Sequence, residues 1–239
     1  MAAERTVRVW ERIAAAHDGA GPVPVAAVCR AAVRWLGVDG ASVTAVSGTL
    51  AREPLAATDE LSARLEELQF TMGEGPAVTG FWLGSPELVP DLELAAGRWP
   101  GFAPAAVAAG ARAMFALPMQ AGAIEVGVLT LYRARPGPLA AAELADAVVM
   151  AGIALQIVLD EAAGIRGQPG YLPLDGLSDS RAEVYQAIGM VSVQLGVSLE
   201  EASVRLRARA FASGAELSAV ADDVVHRRLH FEPDPEPTA

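Results

Sequence analysis

Lysine is absent from this chain of 239 residues, and all 18 basic side chains are arginine. They face 29 acidic residues, which leaves a net charge of −11 at neutral pH. A chain with this charge repels a polyanion as a whole, which counts against generic binding of nucleic acid. The same charge still permits recognition of one RNA shape by a local arginine surface.

Cysteine and histidine are also scarce. The single cysteine, Cys29, excludes an internal disulfide. It lies on an apolar helical pattern, which favours a buried, inert thiol over a reactive one. The three histidines, His17, His226 and His230, fall outside the central part of the chain and form no cluster for a metal or a haem. No cofactor is therefore expected.

The sequence contains no apolar run that we expect to span a bilayer. The nearest candidate, residues 147–159, contains Gln156 and is shorter than the roughly 20 residues that a membrane helix needs. Charged residues interrupt the segment 4–12, whereas a signal peptide has an apolar core there. These absences predict a cytoplasmic protein without membrane contact.

Catalytic motifs are missing as well. We recognise no nucleophile beside a base, no paired carboxylates and no phosphate-binding glycine loop. Gly73 and Gly75 have neither the lysine nor the spacing of a P-loop. An enzyme is therefore not predicted.

Apolar residues make up 52% of the chain, which is enough to build a folded core. The length suits one domain of ordinary size and one small domain. Glycine and proline are concentrated between the two, which marks a linker. We predict a first domain over residues 1–163, a linker over 164–177, a second domain over 178–231 and a disordered acidic tail over 232–239.

Helical and strand patterns alternate in the first domain, which predicts an α+β sandwich with an antiparallel sheet flanked by helices. The strand patterns at 111–119 and 124–133 form a hairpin. Three helices are predicted near its ends, at 4–18, 23–36 and 140–162. Their apolar faces exceed what one sandwich can cover, so we predict a homodimer that pairs through them.

Four short segments of this domain carry a family resemblance. They are Gly-Glu-Gly-Pro at 73–76, Arg-Trp-Pro-Gly-Phe at 98–102, Phe-Ala-Leu-Pro-Met at 115–119 and Val-Gly-Val-Leu-Thr-Leu-Tyr at 126–132. With them, residues 25–159 resemble a GAF domain, which implies a pocket that holds a small molecule or nothing. Relatives often carry a cysteine where this chain has Ala77, so the resemblance implies no thiol sensor at that place.

Seven residues are candidates for lining such a pocket: Met72, Glu74, Phe81, Trp82, Trp99, Phe102 and Phe115. An apolar core has the same sequence pattern, so core packing stays open for each aromatic residue and is favoured over ligand contact. Glu74 is either a polar anchor at the pocket mouth or part of a structural turn.

Residues 178–231 break into three helical patterns. The first ends at Gly196, and Ser198 with Glu201 forms a capping box that begins the second. The second ends at Gly214, and the third begins near residue 216. This segment has six arginines and seven acidic residues, so it is close to neutral.

Four short stretches of this segment carry a second resemblance. They are Gln-Ala-Ile-Gly-Met-Val at 186–191, Gly-Val-Ser-Leu-Glu-Glu-Ala at 196–202, Leu-Arg-Ala-Arg-Ala at 206–210 and Leu-Ser-Ala-Val-Ala-Asp-Asp-Val-Val at 217–225. Their order and spacing resemble the ANTAR domain, a three-helix RNA-binding module of bacterial antitermination regulators. The family often has a lysine where this chain has Ile188. A phosphate contact of that lysine would be missing here.

Nine residues are candidates for binding RNA: Arg181, Tyr185, Gln186, Gly189, Arg205, Arg207, Arg209, Arg227 and Arg228. Tyr185 would stack on a splayed base, Gly189 would allow close backbone approach, and the arginines would pair with phosphate. The alternative is a solvated charged face with pairs such as Glu201 with Arg205.

The two resemblances together imply a signal-responsive RNA-binding regulator that acts by transcription antitermination. Its partners would be an RNA stem-loop, a second copy of the chain and an unidentified small molecule in the GAF pocket. The alternative is a protein-interaction module whose ANTAR domain has lost its affinity for RNA.

Overall fold

The computed structural model of the chain describes residues 2–47, 51–122, 124–162 and 179–232. They form two compact units, one within the first three ranges and the other within the last. The predicted linker and all but the first residue of the predicted tail lie outside the described residues.

The first unit contains, among its described residues, six α-helices, five strands and a 3₁₀ helix. The α-helices are α1 (Ala2–Ala15), α2 (Val25–Trp35), α3 (Glu60–Met72), α4 (Pro76–Leu83), α5 (Phe102–Ala109) and α6 (Ala141–Ala162). The strands are β1 (Gly40–Ser47), β2 (Ala51–Ala57), β3 (Glu87–Val89), β4 (Ala113–Ala121) and β5 (Ile124–Arg133), and the 3₁₀ helix is Leu92–Ala95.

The strands form one sheet in the order β2-β1-β5-β4-β3. The pairs β1–β5, β4–β5 and β3–β4 are antiparallel, and Leu129 of β5 lies between Val43 of β1 and Leu117 of β4. The hairpin predicted from the sequence is therefore β4–β5, at the centre of the sheet. The predicted α+β sandwich with an antiparallel sheet is confirmed for this unit.

One face of the sheet packs against α2 and α6, and α1 packs on these two helices. Because side chains alternate along a strand, every second residue of the central strands points to this side. These inward residues include Val43, Phe115, Leu117, Leu129 and Leu131, and they share a core with Ile13, Leu36 and Met150. The burial of such large apolar side chains is the main favourable term for this half of the unit.

Helix α6 is, among the described residues, the one helix long and apolar enough to cross a membrane by length and composition alone. The sequence predicts no uninterrupted apolar run of that length, and α6 is no exception, because Glu143, Asp146, Asp160 and Glu161 interrupt it. Its buried residues pack on β4, β5, α1 and α2 within the first unit. This burial identifies α6 as a core helix of the unit.

The opposite face of the sheet carries α3, α4, α5 and the 3₁₀ helix. Leu65, Leu92, Trp99, Phe102 and Met114 form one buried cluster there. A smaller cluster joins Ala77 and Phe81 of α4 to Ala116 and Val128 of the sheet. Both clusters lie in the region where the sequence predicts a pocket.

The second unit consists of the helices α7 (Asp179–Leu195), α8 (Leu199–Ser213) and α9 (Leu217–Val225). The Ser198 hydroxyl accepts the Glu201 N–H at 3.2 Å, so the predicted cap at the start of α8 is present. The helices share a small core that includes Ile188, Val191, Leu206, Val220 and Val224. An all-α arrangement of three helices was predicted from the sequence.

Candidate functional site

A cluster of polar side chains is buried between α3 and the sheet. The Glu66 carboxylate accepts hydrogen bonds from the Ser42 and Thr44 hydroxyls at 2.9 and 2.8 Å, and Glu66 is only 6% exposed. The Gln69 amide donates to the same carboxylate at 3.4 Å. The Thr130 side chain is buried in β5 directly opposite Ser42, and its oxygen has no partner among the described residues. We call these five residues the polar cluster.

The polar cluster places a carboxyl group in the interior of the first unit, where hydroxyl and amide groups donate hydrogen bonds to it. A buried carboxylate is stable only when hydrogen bonds replace its hydration, and two hydroxyls and an amide do this here. No group of side chains suited to a metal ion is found among the described residues.

The predicted pocket residues Met72, Trp99 and Phe102 lie together on the same side of the sheet. The Trp99 indole N–H donates to the Thr79 hydroxyl at 3.1 Å, which joins α4 to the cluster around α5. Phe81 lies in the neighbouring cluster. These four aromatic and methionine side chains pack in the apolar clusters on this side of the sheet, the alternative that the sequence favoured.

Glu74 joins the turn after α3 to the start of α5. One of its oxygens accepts the backbone N–H groups of Gly101 and Phe102 at 2.6 and 2.7 Å. A carboxylate at a helix N-terminus satisfies amides that lack helical partners and complements the helix dipole. Its role is therefore structural, and this is the second of the two alternatives that the sequence left open.

Two predicted pocket residues lie elsewhere. Phe115 is buried on the opposite face of the sheet, against α1, α2 and α6. Its neighbour Met114 faces the predicted side instead, because consecutive strand residues alternate. Trp82 is 55% exposed near the end of α4, with its ring edge-on to Phe81 at 5.6 Å. Neither Phe115 nor Trp82 lines the predicted pocket.

Cys29 is buried on the inner face of α2. Burial, together with the nearby Glu66 carboxylate, raises the pKa of its thiol to about 12. The thiolate form is therefore negligible at neutral pH, and Cys29 is an inert core residue as expected.

An open apolar groove of about 500 Å³ runs between α1 and α6 on the outside of the first unit. Trp10 and Val148 are partly exposed at this groove, and Gly152 presents bare backbone with nothing near the position of a Cβ. Its lining consists of Thr6, Trp10, Val148, Val149, Gly152, Ile153, Gln156 and Ile157. We call this surface the α1–α6 groove.

The uncovered apolar surface at the ends of the first unit differs from the prediction in one respect. Most apolar residues of α2 are buried within the unit, and Val33 and Trp35 are half-buried, so α2 contributes less to it than α1 and α6. Helix α1 is fixed to α6 by Arg5, Arg8 and Arg12, whose guanidinium groups lie 3.0, 3.5 and 2.9 Å from the Asp146 carboxylate. These ion pairs give a structural role to the three arginines near the start of the chain.

The predicted RNA-binding residues of α7 differ in their exposure to solvent. Arg181 is only 5% exposed, so the prediction that it faces outward is wrong. Tyr185 and Gly189 are half-buried, and Gln186 is exposed. Ile188 is buried in the core of the unit. The position at which the family often has lysine is therefore a packing position in this chain.

Helix α8 carries three of the predicted arginines. Arg205 and Arg209 are exposed one turn apart on the same flank. Arg205 lies 3.3 Å from the Glu201 carboxylate, which is the pair expected for a solvated face. Arg207 is half-buried on another flank, where its guanidinium donates to the Ser203 hydroxyl.

The end of α9 carries the remaining two arginines. Arg228 donates to the carboxylates of Asp222 and Asp223, which hold its guanidinium against the helix. Arg227 is exposed and has a φ of 58°, in the left-handed region. Of the two, Arg227 is the better placed to meet a phosphate.

The sequence reasoning missed Phe211 and the polar cluster. Phe211 is 89% exposed on α8, although its aromatic character suggests a core residue. The alternation of Ser42 and Thr44 with apolar residues in β1 was a usable signal for a polar stripe on one face of the sheet. No sequence pattern indicated that Glu66 is buried, because a glutamate in a helix is normally exposed.

No protein-family model and no curated protein matches the chain. Among solved structures, it resembles the GAF domain of a phosphoenolpyruvate-protein phosphotransferase from Coxiella burnetii, with 15% identity and a TM-score of 0.51 over 69% of this chain and 96% of that one. The corresponding GAF domain from Acinetobacter gives 11% identity and a TM-score of 0.50 over 71% and 96%.

Identities this low establish the fold alone. They say nothing in favour of the ANTAR resemblance of the second unit, which stays a prediction. Both matched structures are GAF domains, and the chain covers nearly all of each. The first unit, with its five-stranded antiparallel sheet between two helical layers, has the GAF fold.

Proposed function

We propose that this chain is a signal-responsive, non-enzymatic regulator that binds RNA stem-loops and acts by transcription antitermination in the cytoplasm. The first unit would sense a signal and pair two copies of the chain. The second unit would bind the RNA. The GAF fold of the first unit supports a sensory role, and the ANTAR resemblance supports the RNA-binding role.

The observation that carries the RNA proposal is the charge of α8. Residues 202–215 contain three arginines and no acidic residue, in a chain whose net charge is −11. Arg205 and Arg209 are exposed there one turn apart. A local basic surface on an acidic protein attracts phosphate over a short range while the rest of the chain discourages indiscriminate binding.

A binding experiment with matched charge changes tests this role. The full chain is titrated with a tandem stem-loop RNA at two salt concentrations, and Arg205→Ala/Arg209→Ala is compared with Arg64→Ala/Arg135→Ala. Both variants lose two exposed arginines, but the second pair lies in the first unit. We expect only the first variant to weaken binding, and the slope of its salt dependence to fall by about 0.7 for each phosphate that an arginine no longer neutralises.

Equal weakening in both variants would mean that binding responds to total charge, which contradicts a specific RNA surface on α8. Absence of binding by the wild-type chain at low salt would favour the alternative, a protein-interaction module without RNA affinity. In that case the α1–α6 groove would be the surface to examine, because it is apolar and open.

The sensory part of the proposal rests on the polar cluster. Its buried carboxylate and hydroxyls suit a small molecule with N–H donors or a positive charge. Glu66→Gln keeps the size of the side chain and removes its charge, so we expect it to abolish the response of RNA binding to such a molecule. The affinity of the ligand-free protein for RNA should stay unchanged in this variant.

A further inference from the structure

Phe211 and Val204 are the large apolar residues that α8 exposes along one flank. Phe211 is 89% exposed, and Val204, seven residues earlier, lies two turns away on the same side of the helix. Ala208 between them is exposed as well. Together they form a narrow apolar strip on the second unit, which we call the Phe211 strip.

Arg207 precedes Phe211 by four residues, a spacing that brings side chains on a helix within about 5–6 Å of each other at their Cβ atoms. Its guanidinium donates to the Ser203 hydroxyl, which lies one turn further from Phe211. The exposed ring therefore follows a positive charge on the same helix.

The chemistry of the Phe211 strip favours RNA over a protein partner. The core of a protein interface is wide and depleted in charge, whereas the Phe211 strip is one side chain wide and lies in the acid-free segment 202–215 with its three arginines. An exposed ring in a basic segment suits an unstacked base of a polyanion, and RNA presents such bases in loops.

We infer that Phe211 stacks on an unpaired base in the RNA loop. This inference rests on the proposed RNA-binding function and adds to it the residue that reads the loop. Tyr185, the aromatic residue that the sequence suggested for stacking, is half-buried in α7.

The test measures binding of the full chain to one stem-loop RNA, with its loop bases intact or with one loop nucleotide at a time made abasic. The variants are Phe211→Ala, Phe211→Leu and Phe211→Trp, and Val193→Ala is the control because Val193 is an exposed apolar residue on α7. Loss of one stacked base corresponds to a weakening of about 5- to 150-fold.

We expect that loss in Phe211→Ala and Phe211→Leu, while Phe211→Trp and Val193→Ala bind like wild type. One abasic position should weaken wild type and have no further effect on Phe211→Ala, because the same stacking interaction is already gone. All variants should melt at the wild-type temperature, since the side chain is exposed.

Three outcomes would overturn the inference. If Phe211→Leu binds like wild type while Phe211→Ala does not, the strip makes an apolar contact without stacking. If wild type binds the RNA and both variants bind equally well, Phe211 takes no part and the proposed function survives without it. If wild type does not bind RNA and Phe211→Ala alters the sedimentation of the chain, the strip is a protein contact, and the proposed function fails as well.

Discussion

At the scale of single residues, Arg227 departs from the local rule for ending a helix. Gly196 and Gly214 follow α7 and α8 with φ values of 66° and 65°, as expected for glycine in the left-handed region. Arg227 has the corresponding conformation after α9 with a φ of 58°. A residue with a Cβ is strained there by about 1 kcal/mol. An arginine kept at that cost suggests a functional demand for its charge.

Arg227→Gly should therefore raise the free energy of unfolding by roughly 1 kcal/mol, because glycine adopts this conformation without strain. It should also weaken RNA binding, because the exposed guanidinium is removed. Urea denaturation and RNA titration of the same preparation measure the two effects. Arg227→Ala is the control: it removes the charge and keeps the strain, so only the affinity should fall. A loss of stability in Arg227→Gly would contradict this account.

Asp59 shows how one side chain can fix several parts of the first unit. As the N-cap of α3 it accepts the Ser62 N–H at 2.7 Å, and it also accepts the hydroxyls of Thr58, Ser62 and Tyr132. Burial alone would raise the pKa of Asp59, but these hydrogen bonds outweigh burial and lower it below the usual value. Burial and the Asp59 charge raise the pKa of Tyr132 to about 12.

Asp59→Ala should lower the free energy of unfolding at pH 7 by about 1–2 kcal/mol, the usual cost of losing a helix cap. Since the folded pKa is lowered, the stabilisation is complete above the unfolded value of about 4 and is lost as the pH falls through the folded value. The difference between the variant and wild type should therefore shrink below about pH 4.

Urea denaturation between pH 7 and pH 3 measures this trend. Glu60→Ala is the matched control, because Glu60 is an exposed carboxylate in the same turn of α3. Glu60→Ala should lower the free energy of unfolding by less than about 0.5 kcal/mol at pH 7. A constant difference between Asp59→Ala and wild type at every pH would contradict the role of the charged carboxylate.

At the scale of elements, the sequence predicted those features that depend on neighbours along the chain. The cap at Ser198, the glycine at the end of α8 and the β4–β5 hairpin follow from local patterns, and each is present. The alternation of β4 was readable as well. The sequence did not indicate which face of β4 packs against α3 to α5, because an alternating pattern does not specify which helices cover each face.

The errors of sequence reasoning in the second unit have the same origin. Arg181 and Ile188 lie on one helix, and both are buried. The first was assigned to the surface for its charge, although the aliphatic part of an arginine can pack in a core. Phe211, for which the sequence yields no prediction, is exposed although phenylalanine is usually buried. Burial depends on tertiary neighbours, which a single sequence does not specify.

The α1–α6 groove leads to a prediction about assembly. Val148 is 49% exposed at this groove, in a helix whose buried face already packs on the sheet. We expect that two copies pair through this surface and that Val148→Glu gives a monomer, because the pair would bury two carboxylates without partners. Sedimentation velocity of the full chain measures the change.

Leu94→Glu is the control for this substitution. Leu94 is even more exposed, and it lies on the 3₁₀ helix at the other face of the sheet. It introduces the same charge on the same unit, so it should leave the dimer intact. A monomeric wild-type chain, or dissociation by both variants, would contradict pairing through the α1–α6 groove.

At the scale of the whole molecule, the two units divide the work that the proposal assigns. The first unit has an interior polar cluster on one side of its sheet and the α1–α6 groove beyond the other. The second unit carries the acid-free arginine segment. The proposal thus assigns sensing, pairing and RNA binding to different residues. The effect of a substitution in one of these surfaces on the other two activities can therefore be measured.

This separation predicts how pairing affects RNA binding. A dimer presents two RNA-binding units, and the second stem-loop of a tandem RNA then binds at a high effective concentration. Val148→Glu should weaken binding to the tandem RNA by about 100-fold, the lower end of the range for linked sites. Binding to a single stem-loop should not change, since Val148 lies outside the second unit. Leu94→Glu should bind both RNAs like wild type, whereas equal loss on the single and the tandem RNA in Val148→Glu would mean that the groove acts on the RNA-binding unit itself.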